Sequence, residues 1–233
     1  MEFDSGALPV AGANPCALIA VTPDVTIRRV AVSSMDNNIY LLTAVASGHQ
    51  ILIDAADDMA KIGRLLRAAS RDAPQPTLRA IITTHSHRDH IRALGALAAA
   101  TSAPILAGRD DVAAIERQVG VRVKQPLDHG DKVRSGGLTL DVIGLRGHTP
   151  GSIALAYGED GQPTHLFTGD SLFPGGVGNT DRDPARFGQL LGDVVERVFA
   201  VYPDSTIVHP GHGAPTTLGA ERPRLAEWRA RGW

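Results

Sequence analysis

A chain of 233 residues, 43% hydrophobic and 21% charged, has the composition of a globular protein able to bury a substantial core. A net charge of −2 and an aromatic content of 4% argue against nucleic acid as the main partner, since neither a basic surface nor stacking platforms are provided. No apolar run approaches the roughly 20 residues that span a bilayer, so no membrane partner is expected. The acidic start Met1-Glu2-Phe3-Asp4 is unlike a secretory signal, and the single cysteine, Cys16, has no internal disulfide partner. A cytoplasmic protein is the expectation.

Residues 1–24, rich in Ala, Gly and Pro, read as a loosely ordered arm or edge cover. Residues 25–233 read as one domain, because no long polar linker interrupts them. Strands are expected over 26–32, 38–45 and 50–54. Asp57-Asp58 then cap a helix over 59–69, where Ile62, Leu65, Leu66 and Ala69 recur at helical spacing. A strand over 78–84, an Ala-rich helix over 91–100 and a short strand over 104–107 follow, and a further helix starts at Asp110-Asp111. From Val121 the pattern turns to β, with strands over 138–143, 153–157 and 165–168; Gly158-Glu159-Asp160-Gly161 makes a hairpin turn. A helix from about 184 to 201, a strand over 206–208 and a helix from about 218 to 231 complete the chain.

The chemistry concentrates in Ile81-Ile82-Thr83-Thr84-His85-Ser86-His87-Arg88-Asp89-His90. A β-branched run suited to a buried strand ends in three histidines and an aspartate. In an extended segment His85, His87 and Asp89 share one face, and His90 opens the next helix. Such crowding is badly desolvated unless a cation gathers it, and N and O donors of this type suit zinc, iron or manganese. Three later strand-to-loop junctions carry His148, Asp170 and His212. Seven donors exceed the needs of one tetrahedral ion, whereas two ions about 3.5–4 Å apart, bridged by one carboxylate, would use them all.

His85-Ser86-His87-Arg88-Asp89-His90, Gly147-His148-Thr149-Pro150-Gly151, Thr168-Gly169-Asp170 and Pro210-Gly211-His212-Gly213 resemble, in order, the motifs of the metallo-β-lactamase superfamily, and within it the glyoxalase II-like branch. The resemblance runs from about Asn37 to the C-terminus. It implies an α+β fold, a four-layer αββα sandwich of two mixed sheets with helices outside and metals at one sheet edge. Carried over by position, it implies that His85, His87 and His148 hold a first ion. Asp89, His90 and His212 would hold a second, with Asp170 bridging and Asp54 orienting a ligand histidine from behind. The ions implied are two divalent metals, zinc first, with iron or manganese as alternatives. The reaction implied is hydrolysis of a small-molecule thioester, or another ester such as a lactone, by a water-derived nucleophile that Asp89 also orients. His87 in place of Glu argues against a di-iron oxygen-reducing relative, and Asp170 in place of Cys against antibiotic hydrolysis.

The chain stops about one helix after Gly213, so the basic residues that hold glutathione in long glyoxalase II enzymes have no assignable counterpart. A second reading is a persulfide dioxygenase-like oxidoreductase with one iron held by two His and an Asp, because those relatives share most of the motif letters. His209 competes with His212 as a ligand, and the glycines flanking His212 favour the latter. His49, His129 and His165 are expected in surface or structural roles. The stretch 174–179 lacks the lysine of a P-loop and reads as a rim loop of the site.

Overall fold

Two sheets, each buried on both faces, explain why most strands read as unbroken apolar runs rather than as alternation. The computed structural model describes residues 16–232. β1 (Ala17–Val21), β2 (Val25–Val32), β3 (Asn37–Ala44) and β4 (His49–Ile53) form an antiparallel meander, which β5 (Thr77–Thr83), β6 (Ile105–Gly108) and β7 (Gln125–Leu127) extend in parallel. Parallel neighbours need long crossovers, and α1 (Met59–Ala69), α2 (Leu94–Thr101) and α3 (Val112–Val119) supply them. Helix α1 starts where expected, with the Asp58 carboxylate accepting from the Lys61 N–H at 3.0 Å.

The second sheet takes its strands from the rest of the chain, β8 (Lys132–Ser135), β9 (Leu138–Gly144), β10 (Ile153–Tyr157), β11 (His165–Gly169), β14 (Ile207–Pro210) and β15 (Thr216–Thr217), in the spatial order 15-14-11-10-9-8. Between β11 and β14 lie a small hairpin, β12 (Leu172–Phe173) with β13 (Gly176–Val177), and helix α4 (Pro184–Val194); α5 (Leu218–Glu221) and α6 (Leu225–Arg231) close the chain. Strand period sorts the side chains into layers. Leu42, Ile51, Ile53 and Ile82 meet Leu140, Val142, Leu155 and Phe167 between the sheets. Their neighbours Leu41, Leu52 and Ile81 face Ile62, Leu65 and Leu97 of the first helical layer. Ile143, Ala154 and Leu166 face Leu190, Val194 and Trp228 of the other. The layer order is therefore the expected αββα.

Several boundaries differ from the sequence reading. Residues 1–15 of the expected arm lie outside the described residues, and Ala17–Val21 of the same stretch is an edge strand rather than loose chain. The helix expected over 91–100 starts three residues later, because Arg88–His90 form a 3-10 turn first. The helix expected to reach 201 turns π-helical over Val195–Phe199. The last helix is broken at Pro223, which lacks an N–H and clashes with the preceding turn. Strands β7, β12, β13 and β15, of two or three residues each, leave no periodic signal. No helix among the described residues is long and apolar enough to cross a membrane.

Candidate metal centre

Parallel pairing brings the donors to one edge. β4 and β5 run parallel, so Asp54 and Thr84 follow neighbouring strand ends, and β11 and β14 place Asp170 and His212 likewise. Backbone bonds from Asn38 N–H to Gly211 O (2.7 Å) and from Ile153 N–H to Thr84 O (2.9 Å) lock the two sheet edges together. Glycine is required where the chains pass closest. A Cβ on Gly211 would lie 2.3 Å from Asp170 Oδ1 and 2.6 Å from His90 Cε1, and one on Gly178 would lie 2.3 Å from Asp170 O.

All seven expected donors converge. His85, His87 and His148 form one trio and Asp89, His90 and His212 another, the ligand atoms of each lying within 4.8 Å of one another. Asp170 stands between them. Its Oδ2 is 3.9 Å from His85 Nε2, 3.7 Å from His148 Nε2 and 3.4 Å from His212 Nε2, and its Oδ1 is 3.3 Å from His90 Nε2. Asp89 Oδ2 lies 3.2 Å from His212 Nε2 and 3.6 Å from His90 Nε2. Two donors each about 2.0–2.1 Å from a tetrahedral ion are about 3.4 Å apart, so these separations are those of ligand edges.

The outer hydrogen bonds decide which way the lone pairs point. Met35 O and Asn179 O accept from Nδ1–H of His212 and His148 at 2.7 Å each, and the Asp54 carboxylate takes Nδ1–H of His90 at 2.9 Å. The Thr84 hydroxyl gives its proton to Asp54 at 2.8 Å and so accepts from His85 Nδ1–H at 3.1 Å. Four imidazoles therefore turn Nε2 inward. His85 Nε2 and His148 Nε2 are buried there with no hydrogen-bond partner, and His90 Nε2 faces His212 Nε2 at 3.1 Å. Inward lone pairs without donors repel one another unless a cation lies among them, so the residues present fit divalent metal.

The carboxylates draw positive charge onto His90 and His212, the charge that a divalent ion would supply in their place, while His85 and His148 stay neutral donors. Burial, helped by neighbouring His90, pushes His85 well below the ordinary histidine range, and burial also lowers His148. At His90 burial is outweighed by the carboxylates of Asp170 and Asp54, which push it up to about 10, while bonding to Asp170 raises His212. Burial would raise Asp170, but His212 and His90 hold it far below the usual carboxylate range. Asp89 is lowered despite burial, through the Asn37 amide and His90.

The route to this arrangement differs from strand alternation. β5 ends at Thr83, and Asp89 and His90 reach the centre from the 3-10 turn. Asp54 lies behind His90 as expected, held at φ +58° while accepting from the Thr84 N–H at 2.7 Å. His209 points away into the interior, 2.9 Å from His165 Nδ1 and stacked near Phe167. His165 is buried with it, His49 bonds Ser135 Oγ at 2.9 Å, and His129 is exposed.

Besides Thr84, Met35 O and Asn179 O, two further supports escaped the sequence reading. The Asn37 amide donates to Asp89 Oδ2 at 2.9 Å. Asp111, read only as a helix start, makes no side-chain cap on α3. Its buried carboxylate instead accepts from Ser86 N–H (2.8 Å), Thr149 Oγ1 (2.6 Å) and Gly151 N–H (2.9 Å), tying the His85–His87 loop to the His148 loop. Asn37-Asn38 opening an otherwise apolar strand was the available signal for the first; Asp111 left none.

Comparison with known proteins follows the same lines. The family described as the metallo-β-lactamase superfamily matches residues 35–212. A hydroxyacylglutathione hydrolase of Anaeromyxobacter dehalogenans is 34% identical over 209 residues, covering 84% of this chain and 72% of its own. The human mitochondrial persulfide dioxygenase ETHE1 is 30% identical over 178 residues, covering 74% of this chain and 62% of its own. Among solved structures, TTHA1623 in a di-iron-bound form superposes with a TM-score of 0.63 at 30% identity, covering 83% of this chain and 96% of that one. Motif order, layer order and edge-held donors agree with the family match over most of the chain, and the protein is accordingly a member of the metallo-β-lactamase superfamily.

Proposed function

We propose that the chain is a binuclear hydrolase of small-molecule thioesters, or of other activated esters. The observation that carries this reading is the Asp170 carboxylate, which lies between the two donor trios within 3.9 Å of both, Oδ2 near His85, His148 and His212 and Oδ1 near His90. His85, His87 and His148 would hold one ion, Asp89, His90 and His212 the other, and Asp170 both. Divalent ions bound here supply Lewis acidity, which lowers the pKa of water to about 7 and polarises a carbonyl. Zinc suits this donor set, and iron and manganese are the alternatives.

The chain's own groups supply orientation. Asp89, anionic and fixed by Asn37, holds the attacking water in line with the carbonyl and accepts its proton. Asp54, Met35 O and Asn179 O keep His90, His212 and His148 in the tautomer that aims Nε2 inward. His87 is exposed, so substrate approaches from its side. The hydroxyacylglutathione hydrolase relative supports thioester cleavage. The persulfide dioxygenase relative supports a one-iron oxidoreductase instead, a reading that leaves the Asp89, His90 and His212 trio without a task.

The test is metal quantification on the purified chain, then assay against thioesters, a lactone and glutathione persulfide. Two ions per chain and thioester turnover, both lost in Asp170→Ala, are expected. One iron per chain with oxygen uptake on the persulfide overturns the hydrolase reading.

A further inference from the structure

Arg88 stands in sequence between two of the seven donors, His87 and Asp89, and opens the 3-10 turn that carries Asp89 and His90. It is exposed, and its guanidinium makes no hydrogen bond or ion pair with any described residue. It also lines a cleft of about 580 Å³, within the size range of small-molecule sites. The cleft's apolar wall is made by Ile91 and Ala96 at the start of α2 and by Val119 and Val121 at the end of α3, beside the polar Arg88, Arg92 and Gln118. Gln118 fastens the far wall to the donor loop, its Nε2 giving a hydrogen bond to Ser86 O at 2.7 Å. No carboxylate lines the cleft, and its second cation, Arg92, is already paired with Asp57 at 3.0 Å.

An unpaired guanidinium beside an apolar wall suits a short apolar chain that carries an anion. We propose that this cleft is the specificity subsite of the enzyme, taking the arm of the substrate that bears a carboxylate on a short apolar chain, with Arg88 as the group that recognises the carboxylate. The inference rests on the hydrolase reading for its substrate but not for its binding chemistry. The arm is either the acyl group or the thiol, and both present the same chemistry to Arg88.

Four thioesters separate the two sources: a six-carbon acyl group with or without a terminal carboxylate, each on a thiol with or without one. With zinc supplied, the full chain is expected to favour the carboxylate on one arm by about tenfold in kcat/KM, mainly through KM. The preference should shrink toward unity in Arg88→Ala, return partly in Arg88→Lys, and weaken in high salt only where the cation is present. Ala96→Phe, which fills the cleft from an exposed position, should raise KM for the favoured arm alone. Indifference of the unaltered protein to both carboxylates, or a preference that survives Arg88→Ala, overturns the proposal.

A binding measurement keeps the two readings apart if no thioester is turned over. In NMR titrations of the zinc-supplied chain, hexanoate should shift the methyl signals of Ile91, Val119 and Val121 at concentrations about tenfold below 1-hexanol, and Arg88→Ala should erase the difference. Such shifts without turnover sink the hydrolase assignment and keep the subsite. Equal responses to acid and alcohol sink the subsite.

Discussion

Asp111 touches no candidate metal donor, yet its replacement should loosen the first ion. Its two oxygens serve three buried donors, the Ser86 and Gly151 N–H groups and the Thr149 hydroxyl. Thr149 Oγ1 in turn lies 2.6 Å from Ser152 Oγ, which also accepts from the Thr149 N–H. Asp111→Asn keeps the shape but turns one oxygen into an amide that only donates. Placed toward Gly151, that amide strands one backbone N–H and its own protons, and a buried unsatisfied group costs about 1–3 kcal/mol. A stability loss of about 2–4 kcal/mol follows, or roughly 5–15 °C in Tm for a chain of this length. Losing the tie between the His85–His87 and His148 loops should also weaken zinc by about 10–100-fold, the usual effect of removing an outer support. Zinc affinity is measured by competition with a chromophoric chelator, and stability by urea unfolding of metal-free protein. Asp128→Asn, which disturbs only an exposed pair with Arg109, serves as the control. Lower stability with undiminished zinc affinity would refute the reasoning, since Asp111 would then be structural alone.

Three further outcomes are expected. Gly211→Ala forces a methyl against Asp170 Oδ1 and His90 Cε1, so bound metal should fall to about one ion per chain by elemental analysis; two retained ions would contradict the close approach. His209 is pushed down to about 3, first by burial and then by His165, against an unfolded value of about 6.5. The unfolded chain thus takes a proton that the native one refuses, and stability falls as pH drops from about 6.5 toward 3, by up to about 1.4 kcal/mol per pH unit. The urea stability of the unaltered protein should therefore lose up to about 2 kcal/mol more than that of His209→Gln between pH 6.5 and 5, and parallel losses would exclude it as the source. Removing metal by chelation should lower stability by about 3 kcal/mol for each ion relative to protein held at 100 times its Kd, with recovery on adding zinc, and a melt indifferent to chelator would mean that nothing binds among the donors.

The donors were legible because metal chemistry demands rare residues at strand ends, and strand ends announce themselves through β-branched runs such as Ala80-Ile81-Ile82-Thr83. The layers followed from the family resemblance carried by those same donor motifs, and the apolar runs of the strands are consistent with them. Boundaries were less so. Whether His90 began the helix or ended a 3-10 turn depended on backbone bonds from Ile91 N–H to Arg88 O and from Ala93 N–H to Ala55 O, the second reaching across the fold. Ala17–Val21 became a strand because β2 offered an edge, which composition alone does not reveal.

What escaped was the scaffolding of the site, and the reason is physical. A donor is recognised by its own chemistry, whereas a support is recognised only by what it touches. Asp111 and Asp58 look alike in sequence, each preceding a helix, yet Asp58 bonds the first turn of α1 while Asp111 ignores α3 and reaches across to two loops. The difference is burial: a carboxylate at a solvated helix start finds the nearest N–H, but one enclosed between loops must satisfy every lone pair from whatever surrounds it. Asn37, Asp54 and Asp111 are each buried to within 2% exposure, and their polar atoms reach donors, donor loops or the groups behind them. Enclosing that much polarity at one edge is tolerable only when each group is matched, and at the centre Nε2 of His85, Nε2 of His148 and Oδ1 of Asp170 are left without a hydrogen-bond partner among protein groups. The chain has thus fixed everything around the centre except its positive charge, which leaves metal as the partner these side chains are arranged to receive.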